Sequence, residues 1–406
     1  MKIMILSQNA GSPRHGMVFR NYVWAREWVR QGHEVTIITS SFSHSRNENP
    51  KTTTRVAQEQ IDGINYIWVW GNRFKQSNII GRLLSMAFFT LQCLLLPLPI
   101  RNDFDLVIAS SPNPLAIYAA RLFARRSKAK LIYDIRDLWP LALLQHGNVS
   151  SWNPVVALMA HAEKYACCHA DLVTAVPQNC EAYLRTRGLK PGKFLAVANG
   201  ILDEPLPFEE MPPTHKQLFD RLKQDGRFTV GYTGAMGTAN ALHALVNAIK
   251  LADDSIHAVF MGQGGNLDKL KSLALQLDIG ERVHFLEPVP RAQVSSFLNR
   301  IDAAYLGLEN KPLYKLGTSP TKLNDYMMAV KPIVYACGDS GSGVELSHCG
   351  IVCEAENAGH IADALNELSR MTREQLHQMG KRGQEWLLKN RLVSEQTKQI
   401  LAALNS

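Results

Sequence analysis

No two cysteines in this chain have Cys-x-x-Cys spacing, and the seven present (Cys93, Cys167, Cys168, Cys180, Cys337, Cys349, Cys353) are odd in number. That excludes a disulfide framework and reads as reduced, buried, cytosolic cysteine. Cys349 and Cys353, four apart, have helical spacing and are not expected to hold zinc. The opening MKIMILSQ has one lysine and an apolar stretch that runs straight into a turn, so a signal peptide and secretion are not expected. Long Lys/Arg runs and aromatic-studded basic strands are lacking, which argues against nucleic acid as a partner. Asp103-Phe104-Asp105 has the spacing of a metal-binding D-x-D but precedes a strand instead of following one, so no metal is expected there. The uncharged run Leu83–Ile100 spans 18 residues, but Ser85, Thr90, Gln92, Pro97 and Pro99 dilute it. It reads as a core helix or a helix lying on a bilayer, with Arg73, Lys75, Arg82 and Arg101 at its flanks.

What is present is a chain of 406 residues, 46% hydrophobic and 20% charged, values that fit globular domains and are too large in total for one core. Charge is placed unevenly. Residues 1–200 hold 23 Lys+Arg against 12 Asp+Glu, a net of +11, while residues 201–406 have a net of −3. An anionic membrane surface is the expected partner of the basic half.

Short β-branched runs alternate with amphipathic stretches, the pattern of βα units around a parallel sheet. Expected strands are Ile3–Leu6, Val35–Thr39, Ile64–Val69, Leu106–Ala109, Leu131–Asp134, Leu172–Ala175 and Phe194–Val197. Between the first two, Phe19–Arg30 reads as a helix with an apolar stripe of Phe19, Val23, Trp24, Trp28 and Val29. The proline-rich segment Asp203–Thr214 reads as a linker. Alternation resumes with Phe228–Tyr232, Ala258–Met261, Val283–Phe285, Ala303–Tyr305, Ile333–Tyr335 and Ile351–Val352. A last helical stretch covers about Arg373 to Leu404. Parallel sheets bind ligands beyond the carboxyl ends of their strands, so chemistry is sought in those loops.

Four loops stand out. Asn9–Gly16 (NAGSPRHG) leads from the first strand into a helix, with glycines for backbone approach and His15 as a proton carrier or acceptor contact. Leu131–Pro140 (LIYDIRDLWP) brings Asp134, Arg136 and Asp137 to a strand end, where they either orient hydroxyls and supply a base or close a turn through an Arg-carboxylate bridge. Gly317–Val334 (GTSPTKLNDYMMAVKPIV) begins a helix with Ser319 as N-cap, Pro320 as first residue and Lys322 in the first turn. A cation there opposes the helix dipole by about 0.3–1 kcal/mol unless an anion is bound, which points to a diphosphate. Asp325, one turn on, is placed either to take a ribose or sugar hydroxyl or to pair with Lys322. YTGAMG at 232–237 and MGQGG at 261–265 supply glycine loops for a nucleotide.

In this order the stretches resemble glycosyltransferase family 4, in particular its bacterial surface-polysaccharide subgroup, marked by RDLWP (Arg136–Pro140) and S-P-x-K-x-x-(E/D)-Y-M (Ser319–Met327). The resemblance also covers QGHEVTIIT, FDLVIASSP, ADLVTAV and NGI. It implies the α/β GT-B fold, two Rossmann-like domains facing across a cleft. Residues 1–203 would be the acceptor-side domain, 204–380 the nucleotide-sugar domain, and 381–406 a helix crossing back to the first. It implies retaining transfer of a sugar from a nucleotide diphosphate, UDP-linked by subgroup, to a lipid-linked saccharide in surface polysaccharide synthesis, with no metal or other cofactor. Donor contacts are expected from Gly16, Gly234, Gly264, Ser319, Thr321, Lys322 and Asp325, with Asp137 and Lys322 catalytic and His15 and Arg136 on the acceptor side. The enzyme would be cytoplasmic and peripheral on the inner membrane. Gly317 stands where the family's E-x7-E motif has its first glutamate. A UDP-sugar 2-epimerase and a silent membrane-bound scaffold are the competing readings.

Overall fold

The structure, a computed structural model, describes all residues except 17–19, 44, 45, 47, 53, 73–78, 147–149, 151, 206 and 406, and the side chains of 79, 80 and 146. Phe19, Arg73 and Lys75 therefore lie outside the described residues. The chain divides into two compact units, Met1–Leu202 with Val393–Ser406, and Asp203–Leu392.

The first unit runs β1 (Lys2–Leu6), α1 (Arg20–Arg30), β2 (Glu34–Ser40), β3 (Val56–Ile61), β4 (Ile64–Val69), α2 (Ile79–Leu95), β5 (Leu106–Ser110), α3 (Ala116–Ser127), β6 (Lys130–Ile135), α4 (Leu141–His146), α5 (Pro154–His169), β7 (Leu172–Ala175), α6 (Glu181–Thr186) and β8 (Phe194–Ala196). Its strands form one sheet in the order β3-β4-β2-β1-β5-β6-β7-β8, parallel except for the β3–β4 hairpin. Strand β3 is missing from the sequence reading because VAQEQI is too polar to read as a strand. The overlooked signal is Asp62-Gly63, both at positive φ (50° and 78°), a two-residue turn that closes a hairpin.

The second unit runs α7 (Pro213–Gln224), β9 (Phe228–Thr233), α8 (Leu242–Leu251), β10 (Ile256–Met261), α9 (Leu267–Gln276), β11 (Val283–Leu286), α10 (Arg291–Arg300), β12 (Ala303–Gly307), α11 (Thr321–Met328), β13 (Ile333–Ala336), α12 (Gly343–Ser347), β14 (Gly350–Val352), α13 (Ala358–Ser369) and α14 (Arg373–Asn390). The sheet order β11-β10-β9-β12-β13-β14 is wholly parallel, the doubly wound arrangement of a Rossmann fold.

The last helical stretch is two helices. In α14, Gly380 and Gly383 let the backbone lie against Val330 and Cys349 of the second unit, where an added Cβ would meet Val330 O at 2.1 Å and Cys349 Cβ at 2.7 Å. After a break, α15 (Val393–Ala403) joins the first unit. Its Val393 and Ile400 share a core with Trp24 and Trp28 of α1, and Thr397 Oγ1 accepts from Gln31 Nε2 at 3.0 Å. The return to the first unit thus begins at residue 393, twelve residues later than the 381–406 segment of the sequence reading.

Candidate donor site

In the second sheet the strand order reverses between β9 and β12, the point at which such sheets leave a crevice beyond their carboxyl ends. The loop after β9 packs backbone to backbone on the loop after β10. Gly262 has φ 149°, and a Cβ there would stand 2.1 Å from the Gly234 carbonyl; one at Gly264 would stand 2.6 Å from that of Met236. The loops are joined by Gly234 N to Met261 O (3.0 Å) and Met236 N to Gln263 O (2.8 Å). Glycine is demanded here by loop contact, and the result is a floor without side chains.

Lys322 lies over this floor. A Cβ on Gly234 would come 3.3 Å from Lys322 Cδ, so the glycine makes room for the lysine stem. The ammonium donates to Tyr232 Oη (2.6 Å) and Asn240 Oδ1 (3.0 Å) and sits 4.4 Å from the Tyr232 ring centroid. Neither acceptor is charged. Burial pushes the Lys322 ammonium down to about 8. Helix α11 begins at Thr321 with Pro320 as its N-cap, and Pro320 makes no side-chain cap bond. Ser319 is therefore one residue outside the cap position expected for it, because the extended Pro320 (φ −63°, ψ 132°) postpones the first helical residue to the exposed Thr321. Leu323 N donates back to Pro320 O at 3.0 Å, while the two amides before it precede the first helical bond and, with the Lys322 ammonium, form one electropositive end.

Asp325 does not pair with Lys322. Both its oxygens are held by the guanidinium of Arg291, the first residue of α10, at 2.5 Å each, with the carboxylate 14% exposed. This clamp joins residues 34 apart and has no local sequence signal. Asp339 was missed as well: it is buried and accepts from Thr318 N, Thr318 Oγ1 and Tyr335 Oη, fixing the segment that enters α11. Burial pushes its carboxyl up against the opposing pull of those three donors. Gly317 has φ 106°, where a glutamate would be strained, so the backbone itself disfavours the family's first glutamate at this position. Glu309 also lies in this region, its amide donating to Ala239 O at 3.2 Å, next to Asn240. Its Oε2 lies 3.0 Å from Lys311 Nζ.

In the first unit, order reverses between β1 and β5. Asp134 belongs to the interior and does not bridge to Arg136. Fully buried, it accepts from Arg20 Nη2 (3.0 Å), Ser110 Oγ (2.9 Å) and Thr174 Oγ1 (2.9 Å), while Arg20 also donates to the carbonyls of Val197 and Ala198. Arg136 and Asp137 follow β6, their amides donating to Ser111 Oγ at 2.7 and 3.3 Å, and the Asp137 side chain is exposed. His15 is 4% exposed, against the solvent-facing outcome common for loop histidines. Its ring lies edge-on to Trp68 at 4.9 Å with Nδ1 2.8 Å from Ser12 Oγ, and burial lowers its pKa. Gly16 ends a 3₁₀ turn, Pro13–His15, at φ 67°. Asp103 and Asp105 both accept from Lys2, from its side chain and its amide respectively. Among the described residues no three His, Cys, Asp or Glu side chains gather as metal ligands.

Two family models match. Residues 15–200 match the Glycosyl transferase 4-like domain, and residues 214–386 match Glycosyl transferases group 1. No curated protein sequence matches the chain. Among solved structures, sucrose-phosphate synthase from Thermosynechococcus elongatus superposes with a TM-score of 0.70 at 14% identity, covering 99% of this chain and 98% of that one. Anabaena HepE in complex with UDP and glucose gives 0.65 at 16% identity, covering 100% and 99%. WaaG, a glycosyltransferase involved in lipopolysaccharide biosynthesis, gives 0.65 at 14% identity, covering 98% and 99%. At these identities the likeness is one of fold.

Proposed function

The chain belongs to the glycosyltransferases of GT-B fold, with a Glycosyl transferase 4-like first domain and a group 1 second domain, and we propose that it is a retaining, metal-independent enzyme moving a sugar from a UDP-linked donor to a lipid-linked saccharide of surface polysaccharide. The observation that carries this reading is the Lys322 ammonium, half-buried beside neutral acceptors at the start of α11. A partly desolvated cation with neutral acceptors is costly, and a diphosphate in front of it removes that cost. As the bond to the sugar breaks, negative charge grows on the leaving diphosphate, and Lys322 with the α11 amides stabilises it there. The complex of HepE with UDP and glucose supports a UDP-linked donor for this architecture.

In this reading Asp325 takes the ribose hydroxyls with the lone pairs that Arg291 leaves open. Glu309 takes the sugar contact that a glutamate at 317 would otherwise provide, and Asp137 supplies the polar group beside the anomeric carbon. A thermal-shift panel of nucleotide sugars tests the donor, since a ligand at 100 times its Kd stabilises by about 2.7 kcal/mol. The donor that stabilises should then be consumed only when a lipid-linked saccharide is present. Release of an epimerised free sugar nucleotide instead would overturn transfer.

Two further results are expected. Activity should persist in EDTA because Lys322 supplies the charge a metal would; loss of turnover restored by Mg²⁺ or Mn²⁺ contradicts this. Arg291→Ala should weaken UDP binding by about 3–10-fold, the modest range of a half-exposed ion pair, by releasing Asp325 from its orientation. Calorimetry with UDP and 2′-deoxy-UDP checks it: the variant should lose preference for the ribose form, and an unchanged preference removes Asp325 from the ribose site.

A further inference from the structure

Helix α2 is inverted. Between residues 81 and 95 the exposed side chains are Leu84, Phe88, Leu91 and Leu95, at 61%, 37%, 51% and 78%, and all four are apolar. Their spacing of four, three and four puts them on one face. The polar side chains face inward instead. Ser85 accepts from Gln8 Nε2 (2.9 Å), Thr90 Oγ1 donates to Met86 O (3.0 Å) and is 3.4 Å from Asn113 Nδ2, and Gln92 Nε2 donates to Trp70 O (2.8 Å). Trp70, 44% exposed, extends the outer face and meets Phe88 edge-on at 5.7 Å. A continuous apolar face of this size on a folded chain marks an interaction surface.

Charge identifies what covers it. From Gly63 to Asn102 the chain contains no Asp or Glu, while Arg73, Lys75, Arg82 and Arg101 occur there. The exposed Arg55 stands beside the face, its carbonyl accepting from Trp70 N at 2.9 Å. A second copy would bring like charges together at Arg55 and Arg82, which is unfavourable, whereas an anionic bilayer complements both the apolar stripe and these two cations beside it. We infer that the outer face of α2, with Trp70, docks this protein on anionic phospholipid, the helix lying in the interface without crossing. Attachment of α2 to the fold and its described length both argue against crossing. Its 17 residues span about 26 Å against about 30 Å of hydrocarbon, and its inner face is hydrogen-bonded to the fold. No helix among the described residues is long and apolar enough to cross a membrane. This inference stands on α2 and is independent of the donor reading.

Sedimentation with vesicles of phosphatidylcholine, with and without about one third phosphatidylglycerol, tests it. The wild-type chain should bind the anionic vesicles at least about tenfold more tightly than the neutral ones, with a salt-resistant remainder from the inserted face. Glutamate at Arg55 or Arg82 should cost about fivefold each. Leu91→Asp with Leu95→Asp, both at exposed positions, should reduce vesicle binding at least about tenfold while leaving Tm and UDP affinity unchanged. Tryptophan emission should shift to the blue on binding, and the shift should shrink in Trp70→Phe. Indifference of the wild type to anionic vesicles, or equal binding by the double variant, overturns the inference. So does a wild-type dimer that the double variant splits, since the occupant is then a second copy.

Discussion

Lys322→Met is expected to lower kcat/KM by at least about 10–100-fold, the 1.5–3 kcal/mol of a charge-assisted contact, and by more where the contact strengthens in the transition state. The same substitution should make the ligand-free protein more stable. Burial holds the folded ammonium at about 8, below the 10.5 of an exposed lysine. Between those values the unfolded chain binds more protons than the folded one, so wild-type stability rises as pH increases through that window. Below about 8 the full penalty is present, and removing the charge should raise stability at pH 7 by about 1–3 kcal/mol. Activity runs the opposite way: kcat/KM should fall as pH rises through about 8, where the free enzyme loses the proton. UDP should reverse the stability order, protecting wild type and not the variant. Thermal unfolding with and without UDP, together with a pH profile, checks all three. An unchanged kcat/KM in Lys322→Met would falsify the assignment of this lysine.

Arg20→Met is expected to destabilise the first unit by about 3–5 kcal/mol, because it strands the Asp134 carboxylate at the centre of the sheet. Asp134 is 0% exposed, and without Arg20 its remaining described donors are the hydroxyls of Ser110 and Thr174. Removing both charges, as Arg20→Met with Asp134→Leu, should cost less than the first substitution alone, since no charge is then left buried. Urea unfolding followed by tryptophan emission is a suitable measurement. Six of the seven tryptophans precede residue 203, and Trp24 lies 4.1 Å from the Arg20 guanidinium. Two units need not unfold together, so the transition seen by these tryptophans is the one to compare. A loss below about 1 kcal/mol, or a double variant worse than the single, would show that the charges are not coupled.

The chain's local chemistry announced much of this. Thirteen of the fourteen strands among the described residues were readable because β-branched runs bounded by turn residues report strand burial directly. The polar edge strand β3 was not, since its pairing depends on a turn that sequence periodicity does not register. Lys322 was legible because a cation in a first helical turn contradicts the dipole, a conflict confined to four residues. Ser319 as N-cap failed by one position, since the extended Pro320 sets where the helix begins.

Partners across the fold were a different matter. Arg291 reaches Asp325 over 34 residues and Arg20 reaches Asp134 over 114, so neither pair leaves a periodic or spaced signal. The run Leu83–Ile100 was recognised as ambiguous, but its outward apolar face was not evident, because a helix's composition does not say which side is turned inward. Sequence alone determined the βα alternation, the two-unit organisation, the glycine loops and the lysine in the first turn of α11, all consequences of residues near one another in the chain. Tertiary structure alone decided which carboxylate is buried, which is clamped and which face of α2 meets solvent, because burial and charge pairing are set by elements that come together only when the sheets form.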